Sequence, residues 1–189
     1  MLLNEETREQ YKERLVKQLG IKQIGQGGYA DIFEHPNHPN MVVKVSVNDE
    51  RYDGFAMECM DIRGNPWLPK IYSRHKVKME DDVGREVPAF IYFMEKLVPV
   101  EDHEISAAVQ QIAKTVDGFN LHPDSHFYVL EMDDWHRIHF DSTDHHVQEL
   151  AGVMLAVVAD DLHDGNIMKR PSTGHVVIVD PAAPFDETD

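Results

Sequence analysis

The sequence predicts an α+β chain, β-rich in its first half and helical in its second. Three observations carry that reading. Short β-branched and aromatic runs, broken by glycine and proline, fill the stretch up to residue 97. Beyond it, apolar residues recur at helical spacing, as in Ile105, Val109, Ile112 and Val116. Hydrophobic residues make up 42% of the 189, enough for a packed core and too many for a disordered chain. The length fits one domain over 1–189, expected as two lobes, 1–97 and 98–189, with a cleft between them.

Taken in order, residues 5–19 read as a helix with Leu15, Val16 and Leu19 on one side and Gly20 as its stop. Ile21–Ile24 and Tyr29–Phe33 are strands joined by the turn Gly25-Gln26-Gly27-Gly28. Pro36 and Pro39 mark a loop, and Met41-Val42-Val43-Lys44-Val45 is a third strand. A short helix is expected over 49–61, ended by Gly64-Asn65-Pro66 and Pro69. Lys70–Val77 and Glu86–Phe93 are strands across a polar turn at 80–84. A helix covers 103–117 with Gly118 as its stop, and residues 119–141 are too mixed to assign. Asp141 or Ser142 is expected to cap a last helix over 143–159, with Val147, Leu150, Ala151, Met154 and Val158 inward.

Composition excludes several classes. A formal net charge of −16 argues against a nucleic-acid surface, which needs clustered Lys and Arg. No apolar run approaches the roughly 20 residues that span a bilayer, so no membrane association is expected. The acidic N-terminus does not read as a signal peptide, and the single Cys59 cannot form an internal disulfide. A reducing, cytoplasmic setting follows as the expectation. The 12 histidines lack zinc-ligand spacing and read as scattered surface residues.

The chemistry concentrates in a few places. Asp161 is followed five residues later by Asn166, and fourteen beyond that by Asp180 at the end of the apolar run Val176–Val179. An acid on a loop can accept or orient the proton of an attacking hydroxyl, while an Asn and an Asp offer oxygen ligands that suit magnesium. Phosphoryl transfer asks for little else: phosphates held in place, their charge neutralised, an acceptor hydroxyl oriented. Gly25, Gly27 and Gly28 can let backbone amides approach phosphates, although glycine hairpins are common. Lys44 lies in an apolar strand, where an ammonium needs a partner unless it reaches water. Glu58, the only acid in Phe55-Ala56-Met57-Glu58-Cys59-Met60, is the preferred partner, with Glu50 as the fallback. Phe90–Leu97 is a strand running into a linker, and without the other motifs it would be only core.

Together these residues resemble the protein-kinase-like fold. Asp161-Leu162-His163-Asp164-Gly165-Asn166 is similar to the catalytic loop of aminoglycoside and choline kinases. Gly27–Val45, Arg63–Tyr72 and the tail His163–Met168 with Asp180-Pro181 resemble more narrowly the kinase domain of the early serine/threonine protein kinases of T7-like phages. The resemblance implies a compact bilobal fold, a β-rich N-lobe and a reduced helical C-lobe. It implies ATP and Mg2+ as cofactors and host bacterial proteins as substrates in the host cytoplasm. By the same resemblance Gly25, Gly27 and Gly28 cover the phosphates, Lys44 holds the α and β phosphates, Asp161 is the base, and Asn166 and Asp180 bind magnesium. Met94 would then line an adenine pocket, where Glu95 and Leu97 offer main-chain atoms.

The departures from the family also carry expectations. Ala30 replaces a third glycine, and Ala159-Asp160 stand where most protein kinases have His-Arg. Asp160 cannot read a phosphorylated activation loop, and nine residues follow Asp180, so activity without such phosphorylation is expected. The missing helical lobe points toward a homodimer. Two rival readings stay open: a small-molecule phosphotransferase, favoured by Asp161-Leu162-His163, and an acidic pseudokinase that binds and inhibits a host protein.

Overall fold

The computed structural model describes residues 7–18, 20–81, 84–119, 130–160 and 162–182, without the side chain of Asp164. Those residues divide into two compact units, one formed from within 7–53 and 71–96, the other from within 54–70 and 97–182.

In the first unit, helix α1 (Arg8–Glu13) starts at Thr7, whose side chain accepts the Gln10 amide while Gln10 answers the Thr7 amide. It runs into a π-helical turn, Arg14–Gln18, and Gly20 follows at φ +66°. Tyr11 and Leu15 are buried, whereas Val16, expected inward, is exposed. The wider π turn moves its side chain off the apolar stripe; Leu19 lies outside the described residues.

Five antiparallel strands follow: β1 (Gln23–Gln26), β2 (Ala30–Glu34), β3 (Met41–Val47), β4 (Ile71–Glu80) and β5 (Glu86–Glu95), in spatial order β1-β2-β3-β5-β4. Side chains alternate across a sheet. Phe33, Val43, Val45, Val47, Met79, Ala89 and Ile91 therefore share one face with Tyr11 and Leu15, and each large side chain buried there contributes about 1.5–3 kcal/mol. The register Ile32–Lys44–Tyr92 puts Lys44 on the opposite face.

Helix α2 (Glu50–Asp61) follows β3, close to its expected range. Asp49 accepts the Tyr52 amide at 3.0 Å, in the manner of an N-cap.

In the second unit, α3 (Asp102–Ala113), α4 (Met132–Asp141) and α5 (His145–Ala156) bury Ile105, Ile112, Trp135, Ile138, Leu150 and Met154. Helix α4 occupies part of the stretch that the sequence left unassigned, and 120–129 lies outside the described residues. The cap of α5 is a correction: Asp144, not Asp141 or Ser142, accepts the His146 and Val147 amides. Asp141 still belongs to α4, and the Ser142 hydroxyl instead accepts the Asp144 amide across the two-helix link.

Strands β6 (Val98–Pro99), β7 (Ile167–Lys169) and β8 (Val176–Ile178) make a small antiparallel sheet. No described helix is long and apolar enough to cross a membrane.

Candidate functional site

The tail motif is built from α5 onward. That helix ends with the Ala159 amide on the Met154 carbonyl and the Val158 amide on the Leu155 carbonyl, a Schellman pair. The geometry requires a left-handed residue, and Val158 supplies it at φ 53°, where glycine is usual. Ala159 is buried and Asp160 exposed. Asp161, the expected base, lies outside the described residues. Leu162, next to it, is buried and shares the lining of a small void of about 20 Å³ with Ile105, Val109 and Trp135. One end of the loop is thereby anchored in the helical core.

A single 3-10 turn, Asp164–Asn166, leads into β7. The His163 ring accepts the Gly165 amide at 3.1 Å. A Cβ on Gly165 would come 2.8 Å from that ring, so a larger residue would have to displace His163.

Hairpin β7–β8 then runs the chain segments of the two expected metal ligands alongside each other. Ile167 pairs with Ile178, and the Val179 amide donates to the Asn166 carbonyl at 2.9 Å. Asp180 is therefore one residue from direct opposition to Asn166, and both are half-buried. An Asn and an Asp are oxygen-ligand types that suit a hard cation keeping most of its ligands as water and phosphate. Among the described residues no three His, Cys, Asp or Glu gather as a metal cluster.

The hairpin is held from behind by Asn65–Leu68. The Asn65 amide donates to the His146 carbonyl at 2.7 Å and to Glu149 at 3.0 Å, and its oxygen accepts the Trp67 amide. The Trp67 carbonyl accepts the Ile178 amide at 2.9 Å. Buried Arg170, just past β7, donates to the Pro66 and Leu68 carbonyls at 3.0 Å each. His175 packs edge-on to Trp67 at 4.5 Å. Burial, with the Arg170 charge second, pushes the His175 imidazole below its ordinary value. Thus the Asn65-Pro66-Trp67-Leu68 motif has a supporting role within its own unit.

In the first unit, Gly25 pairs with Ile32, and a Cβ there would meet the Ile32 side chain at 3.3 Å. At Gly27 the nearest atom to a Cβ would be 3.8 Å away, and at Gly28 there is open space. Packing therefore accounts for the glycine at 25 but not for those at 27 and 28. Lys44 is buried, and its ammonium sits 3.0 Å from the centroid of the Tyr52 ring. Such a desolvated cation–π contact is worth about 2 kcal/mol. The Tyr52 hydroxyl reaches the Met94 sulfur at 3.7 Å, and Glu95 at the end of β5 is buried.

Glu58, on α2, and Leu97 fall in the second unit, where Glu58 is half-buried and Leu97 buried. Glu50 is exposed at the start of α2. Burial and the nearby Glu58 charge push the Cys59 thiol well above its ordinary value, so it stays protonated and inert.

No family model matches the chain, and neither does any curated protein. Among solved structures it is similar to the kinase domain of Mycobacterium tuberculosis PknI, with 14% identity and a TM-score of 0.37 over 86% of this chain. The chain spans 59% of the length of that domain. It is also similar to a Bacteroides thetaiotaomicron VPI-5482 protein, with 10% identity and a TM-score of 0.21 over 84% of this chain and 82% of that one. The α+β architecture is compatible with a kinase-like fold. With scores this low, the functional reading rests on the geometry of the chain itself.

Three contributors escaped the sequence reading. Tyr52 lies under Lys44, yet a tyrosine in the first turn of a helix carries no signal of that role. Asp53 is buried, accepts the Tyr92 hydroxyl at 2.9 Å and pairs with Arg74, which orders the Lys44 face of the sheet. Arg8, which the sequence reading did not single out, reaches the glycine hairpin.

Proposed function

We propose that the protein is an ATP- and magnesium-dependent phosphotransferase of the kinase-like class, acting on serine and threonine hydroxyls of bacterial proteins. The observation that supports this reading is the β7–β8 pairing, which runs the segment that ends at Asn166 alongside the segment that carries Asp180, one step out of register. Buried Lys44 and the open glycine hairpin are consistent with it. In this scheme Asn166 and Asp180 hold magnesium, which supplies charge neutralisation at the phosphates. Lys44 pairs with the α and β phosphates, exchanging its contact with the Tyr52 ring for anionic oxygens. Asp161 accepts or orients the proton of the acceptor hydroxyl.

The test is transfer of label from γ-labelled ATP with magnesium and a bacterial lysate, by wild type and by Asp161→Asn and Asp180→Asn variants. Label on many proteins, reduced about 10²–10⁴-fold by Asp161→Asn, is expected. Label confined to small molecules would favour a phosphotransferase of the aminoglycoside or choline type. No transfer by wild type would overturn the enzymatic reading.

A further inference from the structure

Arg8 reaches from the first turn of α1 to the tip of the glycine hairpin. Its Nη1 donates to the Gly28 carbonyl, its Nη2 to the Gly27 carbonyl at 2.8 Å, and its Nε to Asp31 Oδ2 at 2.7 Å. Asp31 is 1% exposed, and its other oxygen accepts the Gln23 side chain at 2.8 Å. Each donor of this fork thus has a fixed acceptor, and a buried carboxylate anchors the guanidinium.

The consequence for the hairpin is geometric. In a trans peptide the N–H points opposite to the C=O. With the Gly27 and Gly28 carbonyls both held by Arg8, the Gly28 and Tyr29 amides leave the hairpin on the side away from it. The Tyr29 carbonyl is held by the Val47 amide at 3.0 Å and the Ala30 carbonyl by the Gly27 amide at 2.7 Å. Four successive carbonyls are therefore occupied, while the Gly28 and Tyr29 amides have no partner among the described residues. Register defines the side. Asp31 pairs with Val45, whose face is covered by α1, whereas Ile32 pairs with Lys44 on the other face. Two adjacent amides directed to the lysine side are donors that an anion can accept from.

We infer that Arg8 is a positioning residue: it turns the Gly28 and Tyr29 amides toward the phosphates of a nucleotide bound on the Lys44 face. This rests on the proposed kinase activity and adds to it a role for the N-terminal helix. Removing the guanidinium outright would leave Asp31 buried and unpaired. Arg8→Lys is therefore the informative variant, because an ammonium can still neutralise Asp31 but cannot fork across two carbonyls.

The experiment compares wild type, Arg8→Lys, and Arg8→Ala combined with Asp31→Asn. It measures the melting temperature, the KM for ATP, kcat, and hydrogen exchange of the Gly27 amide, which is hydrogen-bonded across the hairpin tip, without nucleotide. The expected result is a melting temperature for Arg8→Lys close to wild type, about tenfold faster exchange at the hairpin, and a KM for ATP raised about three- to tenfold at unchanged kcat. The double variant should show the same split. Faster exchange with an unchanged KM would overturn the positioning role and leave the kinase reading standing. Unchanged exchange would overturn it as well, whatever the kinetics. A wild type that neither binds nor hydrolyses ATP would overturn the kinase reading and this role with it.

Discussion

Val158 holds a conformation that valine avoids. A β-branched residue at φ 53° carries about 1–2 kcal/mol of strain, accepted because it closes the end of α5 and starts the loop toward Asn166. Its side chain is half exposed, so little packing would be lost on trimming it. Val158→Gly should raise stability by about 1 kcal/mol in urea unfolding. A destabilised variant would mean that the side chain makes contacts worth more than the strain. His175 sets a pH limit. Its ring is buried against Trp67, and Nε2 has no hydrogen-bond partner among the described residues. Its folded-state pKa lies below the ordinary 6.5. The unfolded chain therefore takes up this proton at higher pH than the folded one. The stability that the neutral ring supports is full above about pH 6.5 and is lost as pH falls from there through the folded value. Denaturation curves at pH 8 and 5.5 should differ more for wild type than for His175→Phe, which keeps a ring beside Trp67 but cannot titrate.

Hairpin β7–β8 is too short to stand alone, since two strands of three residues bury little. Its geometry comes from the Asn65–Leu68 segment and from Arg170, which closes the β7 end against the Pro66 and Leu68 carbonyls. Arg170→Met keeps much of the apolar stem but leaves two carbonyls without their donors. At about 1–3 kcal/mol for a buried group left unsatisfied, the expected loss is about 3 kcal/mol in chemical denaturation, with Arg170→Lys losing less. A loss below about 1 kcal/mol for Arg170→Met would show that water replaces the guanidinium freely. Asn166 and Asp180 flank this hairpin, so under the proposed function the same variant should also raise the magnesium concentration needed for half-maximal transfer.

Across the molecule, legibility followed the range of the forces involved. Strands β2 to β5 and helices α2, α3 and α5 lie near their expected ranges, because periodicity and glycine or proline breaks report local conformation. The errors fell where local rules compete. Asp144 displaced its neighbours as the α5 cap because α4 extends to Asp141. Val16 turned outward because the helix widened to a π turn, which no propensity announces. Of the candidate site, the spacing of Asn166 and Asp180 was visible in the chain, and the β7–β8 ladder that lies between them was only partly legible. The contacts of Tyr52 with Lys44, Arg8 with Gly27 and Gly28, and Arg170 with Pro66 and Leu68 were not legible. Their partners lie between 8 and 104 residues apart in the chain.

By itself, the sequence determined the class of the fold, the order of its elements and the residue types from which phosphate and magnesium chemistry could be assembled. Those follow from local backbone preference and from side-chain chemistry, both carried by each residue wherever it ends up. Only the tertiary structure decided that Lys44 lies on an aromatic ring, that an N-terminal arginine holds the glycine hairpin, and that a buried arginine braces the Asn166–Asp180 hairpin. These contacts satisfy charges and carbonyls, some buried and some at the surface, and which partner satisfies them depends on what packing brings within about 3 Å.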